Sequence, residues 1–200
     1  TEPQNIPVII NVNKSDLHQD EEEKLYQELK ITYETIGYKL HLTSTETKEG
    51  ILELKSMLLG KTSLFSGQSG VGKSSLLNAI QIDLGLKTQE ISESSGKGTH
   101  TTTFAEMFRM LEGGNIIDTP GIKLLSFNNL EVMDVAHNFK EFFELAKDCK
   151  YSDCLHRNEP GCAVKKAVEN NAIHSSRYEN YLSILEDIED QNCWERHKEM

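Results

Sequence analysis

Gly67-Gln68-Ser69-Gly70-Val71-Gly72-Lys73-Ser74 matches the pattern G-x-x-x-x-G-K-S, in which a glycine-rich turn closes its backbone N–H groups around phosphate oxygens. A helix opening from such a turn adds a favourable field for the anion. Lys73 would reach the β- and γ-phosphates, the Ser74 hydroxyl would ligate Mg2+, and Ser75 follows in the first helical turn. A glycine-rich turn without function is the plain alternative. Against it, "TSLFS" (62–66) reads as a strand entering the turn, and Lys73–Ile80 as the helix leaving it.

The turn binds a triphosphate without choosing the base. Asn13-Lys14-Ser15-Asp16 would make that choice. The Asp16 carboxylate can accept from both guanine N1–H and N2–H2, a donor pair that adenine lacks; losing such a paired contact leaves a polar group unsatisfied. Asn13 would tie this loop to the phosphate turn, and the Lys14 stem would cover the base. Alone, the four residues also suit a solvated turn; beside the phosphate turn they read as a guanine site. "LTST" (42–45) ends a strand and could offer backbone N–H groups at Thr43 and Ser44 to guanine O6, although Thr and Ser also end strands as plain caps. "DTPG" (118–121) follows the strand "GNIID", where Asp118 would hold Mg2+ through water and the Gly121 N–H would face the γ-phosphate. "GTHTTT" (98–103) supplies a further hydroxyl for Mg2+, assigned to Thr102, with Thr101 and Thr103 as the neighbouring registers.

The order of these parts is unusual. The base-reading loop precedes the phosphate turn, whereas an ordinary small GTPase presents it afterwards. Closing the ring and cutting it elsewhere gives this order without moving any part in space, so the chain reads as a circularly permuted GTPase. Where many small GTPases place a water-orienting Gln after the "DxxG" glycine, this chain has Ile122, whose aliphatic side chain cannot hold water. His100 is the candidate replacement, since imidazole can accept from water near neutral pH; a plain surface histidine is the alternative.

The elements that must position these residues alternate. "PVIINV" (7–12) reads as a buried strand, 19–36 as a charged helix with Leu25, Leu29, Tyr33 and Ile36 on one face, and "YKLHLT" (38–43) as a strand. "GILELKSMLLG" (50–60) reads as a short amphipathic helix. From Gln81 to Thr103 the pattern gives way to polar residues, the composition of a functional or mobile loop. "TFAEMFRML" and "GNIID" read as a strand pair turning at Gly113-Gly114. Strands alternating with helices give an α/β class with a largely parallel sheet. Beyond Asp118 the character changes: 131–147 and 175–190 read as amphipathic helices, the first with Val132, Val135, Phe139 and Phe142 on one face. The expected domains are therefore 1–126, the permuted nucleotide domain, and 127–200, a smaller helical subdomain.

A net charge of −11 over 200 residues argues against a broad basic surface that would coat nucleic acid unaided. No apolar run approaches the eighteen or so residues of a membrane span, and the first residues lack a signal peptide, so a cytoplasmic location without membrane contact is expected. Cys149, Cys154, His156 and Cys162 spell Cys-x4-Cys-x-His-x5-Cys, a donor set suited to a closed tetrahedral zinc site. Two disulfides or inert buried thiols are the alternatives, and a reducing cytosol disfavours the first. Cys193 is left over as a plain thiol. Lys147, Lys150, Arg157, Lys165 and Lys166 lie near this cluster, either as ordinary solvated charges or as contacts to RNA phosphates.

The runs "FSGQSGVGKSSLLNAI", "GKGTHTTTFAEMFRM", "GGNIIDTPGI" and "CLHRNEPGCAVKKAVE" closely resemble the ribosome-small-subunit-dependent GTPase A family (RsgA, also called YjeQ or EngC). The likeness runs from about Pro7 to the C-terminal helices. It implies a GTPase that assists late maturation of the small ribosomal subunit, binding GTP and GDP, Mg2+ and the ribosomal RNA of the subunit. It also implies zinc on the Cys-x4-Cys-x-His-x5-Cys pattern and a catalytic role for His100 in the "HTTT" motif. Family members carry an N-terminal RNA-binding OB-fold that is absent from this chain, which reads as a fragment. A monomer is the expected state. Two other classes of function stay open: a GTP-dependent binding switch with negligible hydrolysis, and a zinc-stabilised rRNA-binding module.

Overall fold

The computed structural model describes residues 5–81, 105–119 and 131–198. The expected roles of His100, Thr102 and Gly121, the neighbouring Ile122, and the side chain of Cys193 lie outside the described residues. The chain divides into two compact units, one spanning Ile9–Leu125 and the other Ser126–Met200 together with Thr1–Val8.

In the first unit, strand β1 (Ile9–Asn13) and strand β2 (Lys39–Thr43) pair in parallel, with Asn13 opposite Thr43. Helix α1 (Asp20–Thr35) makes the crossover between them. Its first turn carries Asp20, Glu21, Glu22 and Glu23, charges that suit the positive end of a helix, and the Gln19 N–H donates to the Glu22 carboxylate. The buried face centres on Tyr26, not on Leu25, which is 55% exposed. Leu29, Tyr33 and Ile36 are only half-buried.

Helix α2 (Ile51–Leu58) starts at Gly50, where φ is +66° and a Cβ would meet the Leu42 carbonyl at 2.0 Å. Strand β3 (Thr62–Phe65) leads through the phosphate turn into helix α3 (Lys73–Ile80). Strands β4 (Glu106–Arg109) and β5 (Asn115–Asp118) form an antiparallel hairpin through Gly113-Gly114, and β5 also pairs in parallel with β3. Among the described residues the strands form two sheets, β1-β2 and β3-β5-β4. Ile51, Leu54, Leu58, Leu76, Leu77, Ile80, Met110 and Ile116 bury one another between α2, α3 and the hairpin. Leu77 and Ile116 are fully enclosed, each contributing about 1.5–3 kcal/mol by burial.

The second unit is helical. One helix is expected over 131–147; the structure instead has α4 (Val132–Asn138) and α5 (Lys140–Ala146), broken at Phe139 in an extended conformation (φ −88°, ψ 105°). Packing explains the break. It turns the Phe139 ring onto Phe142 at 5.0 Å and Tyr181 at 5.3 Å, with the Arg177 guanidinium 4.5 Å from its centre. A continuous helix is given up for an aromatic cluster that includes the fully buried Phe142 and Tyr181. Helix α6 (Ala163–Glu169), which the sequence reading lacks, begins at Cys162, and α7 (Ser175–Lys198) presents Tyr181, Leu185 and Ile188 to the same core. Among the described residues no helix is long and apolar enough to cross a membrane.

Candidate functional site

Parallel pairing sets the geometry of the base-reading loop. Because Asn13 lies opposite Thr43, the Thr43 hydroxyl can donate to the Asn13 side-chain oxygen (3.1 Å) while accepting from the Asn11 amide (2.9 Å). That fixes which end of the Asn13 amide points outward. Its NH2 donates to the Val71 carbonyl at 3.1 Å, joining the loop to the phosphate turn. Lys14 stands in the left-handed region (φ +69°), and its Nζ donates to the Gly70 carbonyl at 3.1 Å. Asn11 is absent from the sequence-derived site, because its role arises only from strand register.

Gly72 is constrained from both sides. Its φ is +93°, and a Cβ there would lie 2.5 Å from the Asn13 amide nitrogen. Gly70 also has positive φ (+85°), and Gly67, Gln68 and Ser69 complete the approach to the turn. The Lys73 ammonium donates back to the carbonyls of Gly67 (2.8 Å) and Gln68 (3.2 Å). Burial pulls Lys73 below its ordinary value, and the charge of Asp118 opposes that fall. Asp118 is buried at the end of β5, in register with Phe65 at the entrance to the turn; next to it, Thr119 donates to the Phe65 carbonyl at 2.7 Å. Ser74 and Ser75 are half-buried in the first turn of α3.

Ser44 is fully buried and its hydroxyl donates to the Asp16 carboxylate, which keeps acceptor capacity for a base. The Ser44 oxygen accepts in turn from the Glu46 and Thr47 N–H groups, each at 3.1 Å. The Ser44 N–H, expected to face guanine O6, donates instead to the Glu49 carbonyl at 3.1 Å. Ser44 therefore orients Asp16 through its side chain, and Thr43 orients Asn13. A cavity of about 280 Å3 is lined by Asn13, Lys14, Asp16, Leu17, Thr45, Glu46, Gly72 and Ser75. It joins the base-reading loop, the loop after β2 and the phosphate turn. Leu17, Thr45 and Glu46 belong to its wall although no motif marks them.

In the second unit, Cys149, Cys154, His156 and Cys162 bring one ligand atom each to within 4.8 Å of one another. His156 Nδ1 lies 3.3 Å from Cys162 Sγ and 3.7 Å from Cys149 Sγ, and these two sulfurs are 4.0 Å apart. A tetrahedral zinc with bonds of about 2.0–2.3 Å places its ligand atoms roughly 3.3–3.8 Å apart. The two His156 distances match this, the sulfur pair is slightly wider, and three thiols with one imidazole are the donor set of such a site. Cys149, Cys154 and Cys162 are all free thiols in this arrangement. His156 adopts a positive φ (+57°); its carbonyl accepts from the Tyr178 hydroxyl (2.7 Å), and that of Leu155 from Tyr181 (2.8 Å). The N–H groups of Ala163 and Lys165 point at the sulfurs of Cys149 and Cys162 (3.3 and 3.4 Å). Burial lowers His156, which favours the neutral imidazole that a metal requires, and pushes the Cys154 thiol up to about 12, so the thiol would have to give up its proton on binding a metal. Of the nearby basic residues, Arg157 is paired with Glu189 at 2.9 and 3.0 Å.

The family described as RsgA GTPase matches residues 1–128. The chain belongs to the RsgA GTPase family. It is 50% identical over 186 residues to the small ribosomal subunit biogenesis GTPase RsgA of Bacteroides fragilis, covering 92% of this chain and 60% of that protein. It is 44% identical over 193 residues to the protein of the same name from Klebsiella pneumoniae, covering 94% and 54%. Among solved structures, YjeQ from Thermotoga maritima superposes with a TM-score of 0.76 at 40% identity, covering 93% of this chain and 61% of that one. YloQ, described as a circularly permuted GTPase, gives 0.72 at 34% identity, covering 92% and 57%. The RsgA GTPase fold and the permuted order of its parts are thereby established for this chain, which spans 54% to 61% of the length of these four relatives.

Proposed function

We propose that this chain binds GTP and hydrolyses it to GDP and phosphate, serving maturation of the small ribosomal subunit in the cytoplasm. The observation that carries the reading is that one shared cavity is lined by Asp16, Lys14 and Asn13 together with Gly72 and Ser75 of the phosphate turn. Asp16 would accept guanine N1–H and N2–H2, with the Lys14 stem over the ring. Residues Gly67 to Ser75 would hold the phosphates through backbone N–H groups, Lys73 exchanging its carbonyl contacts for phosphate oxygens. Mg2+ on Ser74, Asp118 and Thr102 would neutralise charge on the β- and γ-oxygens. The Gly121 N–H would face the γ-phosphate. His100 would hold the attacking water and take its proton as the new O–P bond forms and the bond from the γ-phosphorus to the β–γ bridging oxygen breaks.

In this reading residues 1–126 are the GTPase domain and 127–200 a subdomain held by structural Zn2+ on Cys149, Cys154, His156 and Cys162. The name of the Bacteroides fragilis relative, a small ribosomal subunit biogenesis GTPase, supports the small subunit as the partner, and contact with its rRNA is part of the same proposal. Calorimetric titration with GTP, GDP and ATP tests the nucleotide assignment. Guanine nucleotides should bind far more tightly, and equal affinity for ATP would overturn it.

A further inference from the structure

We infer that Glu49 is a positioning residue for guanine selectivity, one half of a reciprocal clamp between the base-reading loop and the loop after β2. This rests on the nucleotide reading above. Each loop supplies a serine and a carboxylate, and each serine hydroxyl donates to the carboxylate of the other loop: Ser44 to Asp16, and Ser15 to Glu49. The two residues of each loop are adjacent or close in the chain, while the partners lie 28 and 34 positions apart, so the links cross between separate segments.

The loop carrying Glu49 is built to present it. Lys48 and Gly50 both have positive φ, and the Glu49 carbonyl accepts from the buried Ser44 N–H. The Gly50 carbonyl lies 2.7 Å from His41 Nε2 on β2, and no other residue fits at Gly50 because a Cβ would strike Leu42. Glu49 therefore acts on the base at one remove. It holds Ser15, the neighbour of Asp16, so that the Asp16 carboxylate faces the cavity with both acceptor directions aimed at N1–H and N2–H2. Losing that aim should weaken the contact to N2 most, because a paired contact needs the correct orientation as well as the correct distance.

The test compares GDP with IDP, which lacks the 2-amino group, by displacement of a fluorescent nucleotide. Wild-type protein should prefer GDP. In Glu49→Ala the GDP affinity should fall about tenfold, the scale of one charge-assisted hydrogen bond, with a much smaller change for IDP, so the GDP/IDP preference narrows. Glu49→Gln, whose amide oxygen can still accept from Ser15, should restore most of it. Ser15→Ala removes the same hydrogen bond from the other side, and its effect should not add to that of Glu49→Ala. A GDP/IDP preference unchanged in both Glu49→Ala and Ser15→Ala would overturn the clamp while leaving the nucleotide reading intact. Wild-type protein that fails to bind GDP would overturn both.

Discussion

At the residue scale, Asn13 and Asp16 are oriented by Thr43 and Ser44, and Gly72 is held close against Asn13. Asp16→Asn exchanges an acceptor for a donor where guanine offers two donors. GDP affinity should drop at least about a hundredfold while xanthosine diphosphate, which carries an oxygen at position 2, gains; competition binding with the two nucleotides checks it. Gly72→Ala forces a side chain into the left-handed region, a cost of about 1–2 kcal/mol, and drives its Cβ against Asn13. Its melting temperature should fall and its GDP affinity should drop tenfold or more, read by thermal denaturation and by titration. The motif residues Asn13, Asp16, Lys73 and Asp118 could be read from the sequence because their chemistry depends on spacing within a short run. Asn11, Ser15 with Glu49, and the cavity residues Leu17, Thr45 and Glu46 could not. Their roles come from the Asn13–Thr43 register, which pairs segments thirty residues apart and leaves no local pattern.

At the scale of elements, the strand–turn–helix around the phosphate site and the hairpin at Gly113-Gly114 follow from alternation and turn chemistry, and the structure has both. Periodicity also marked Val132, Val135, Phe139 and Phe142 as one face, but could not show that the helix breaks at Phe139, because the gain comes from Tyr181 and Arg177 on a distant helix. Helix α6 is seven residues long, too short for a period to emerge, and is anchored instead by Cys162 at its start. That anchor predicts how the helical unit responds to metal. Cys154→Ser, or exposure to a strong chelator, should release one zinc per chain and lower the thermal midpoint of residues 126–200 by several degrees, while GDP titration of the first unit stays unchanged. Metal analysis with domain-resolved hydrogen exchange checks both halves. Protein purified without chelator that carries no zinc would contradict the assignment.

At the scale of the molecule, net charge and length set the terms. An excess of eleven negative charges gives the chain no general attraction for RNA, so any ribosomal contact must be local and shaped. Of Lys147, Lys150, Arg157, Lys165 and Lys166, the side chain of Arg157 already holds Glu189. His100→Ala should lower subunit-stimulated turnover about a hundredfold with GTP affinity nearly unchanged, the usual consequence of losing a group that orients or deprotonates water. The most direct test of the central claim is phosphate release from GTP and from ATP, each measured with and without purified small ribosomal subunits. Release from GTP alone should be slow and should quicken when subunits are added, with no appreciable release from ATP in either case. Equal release from ATP and GTP, or none from GTP at any subunit concentration, would contradict that claim.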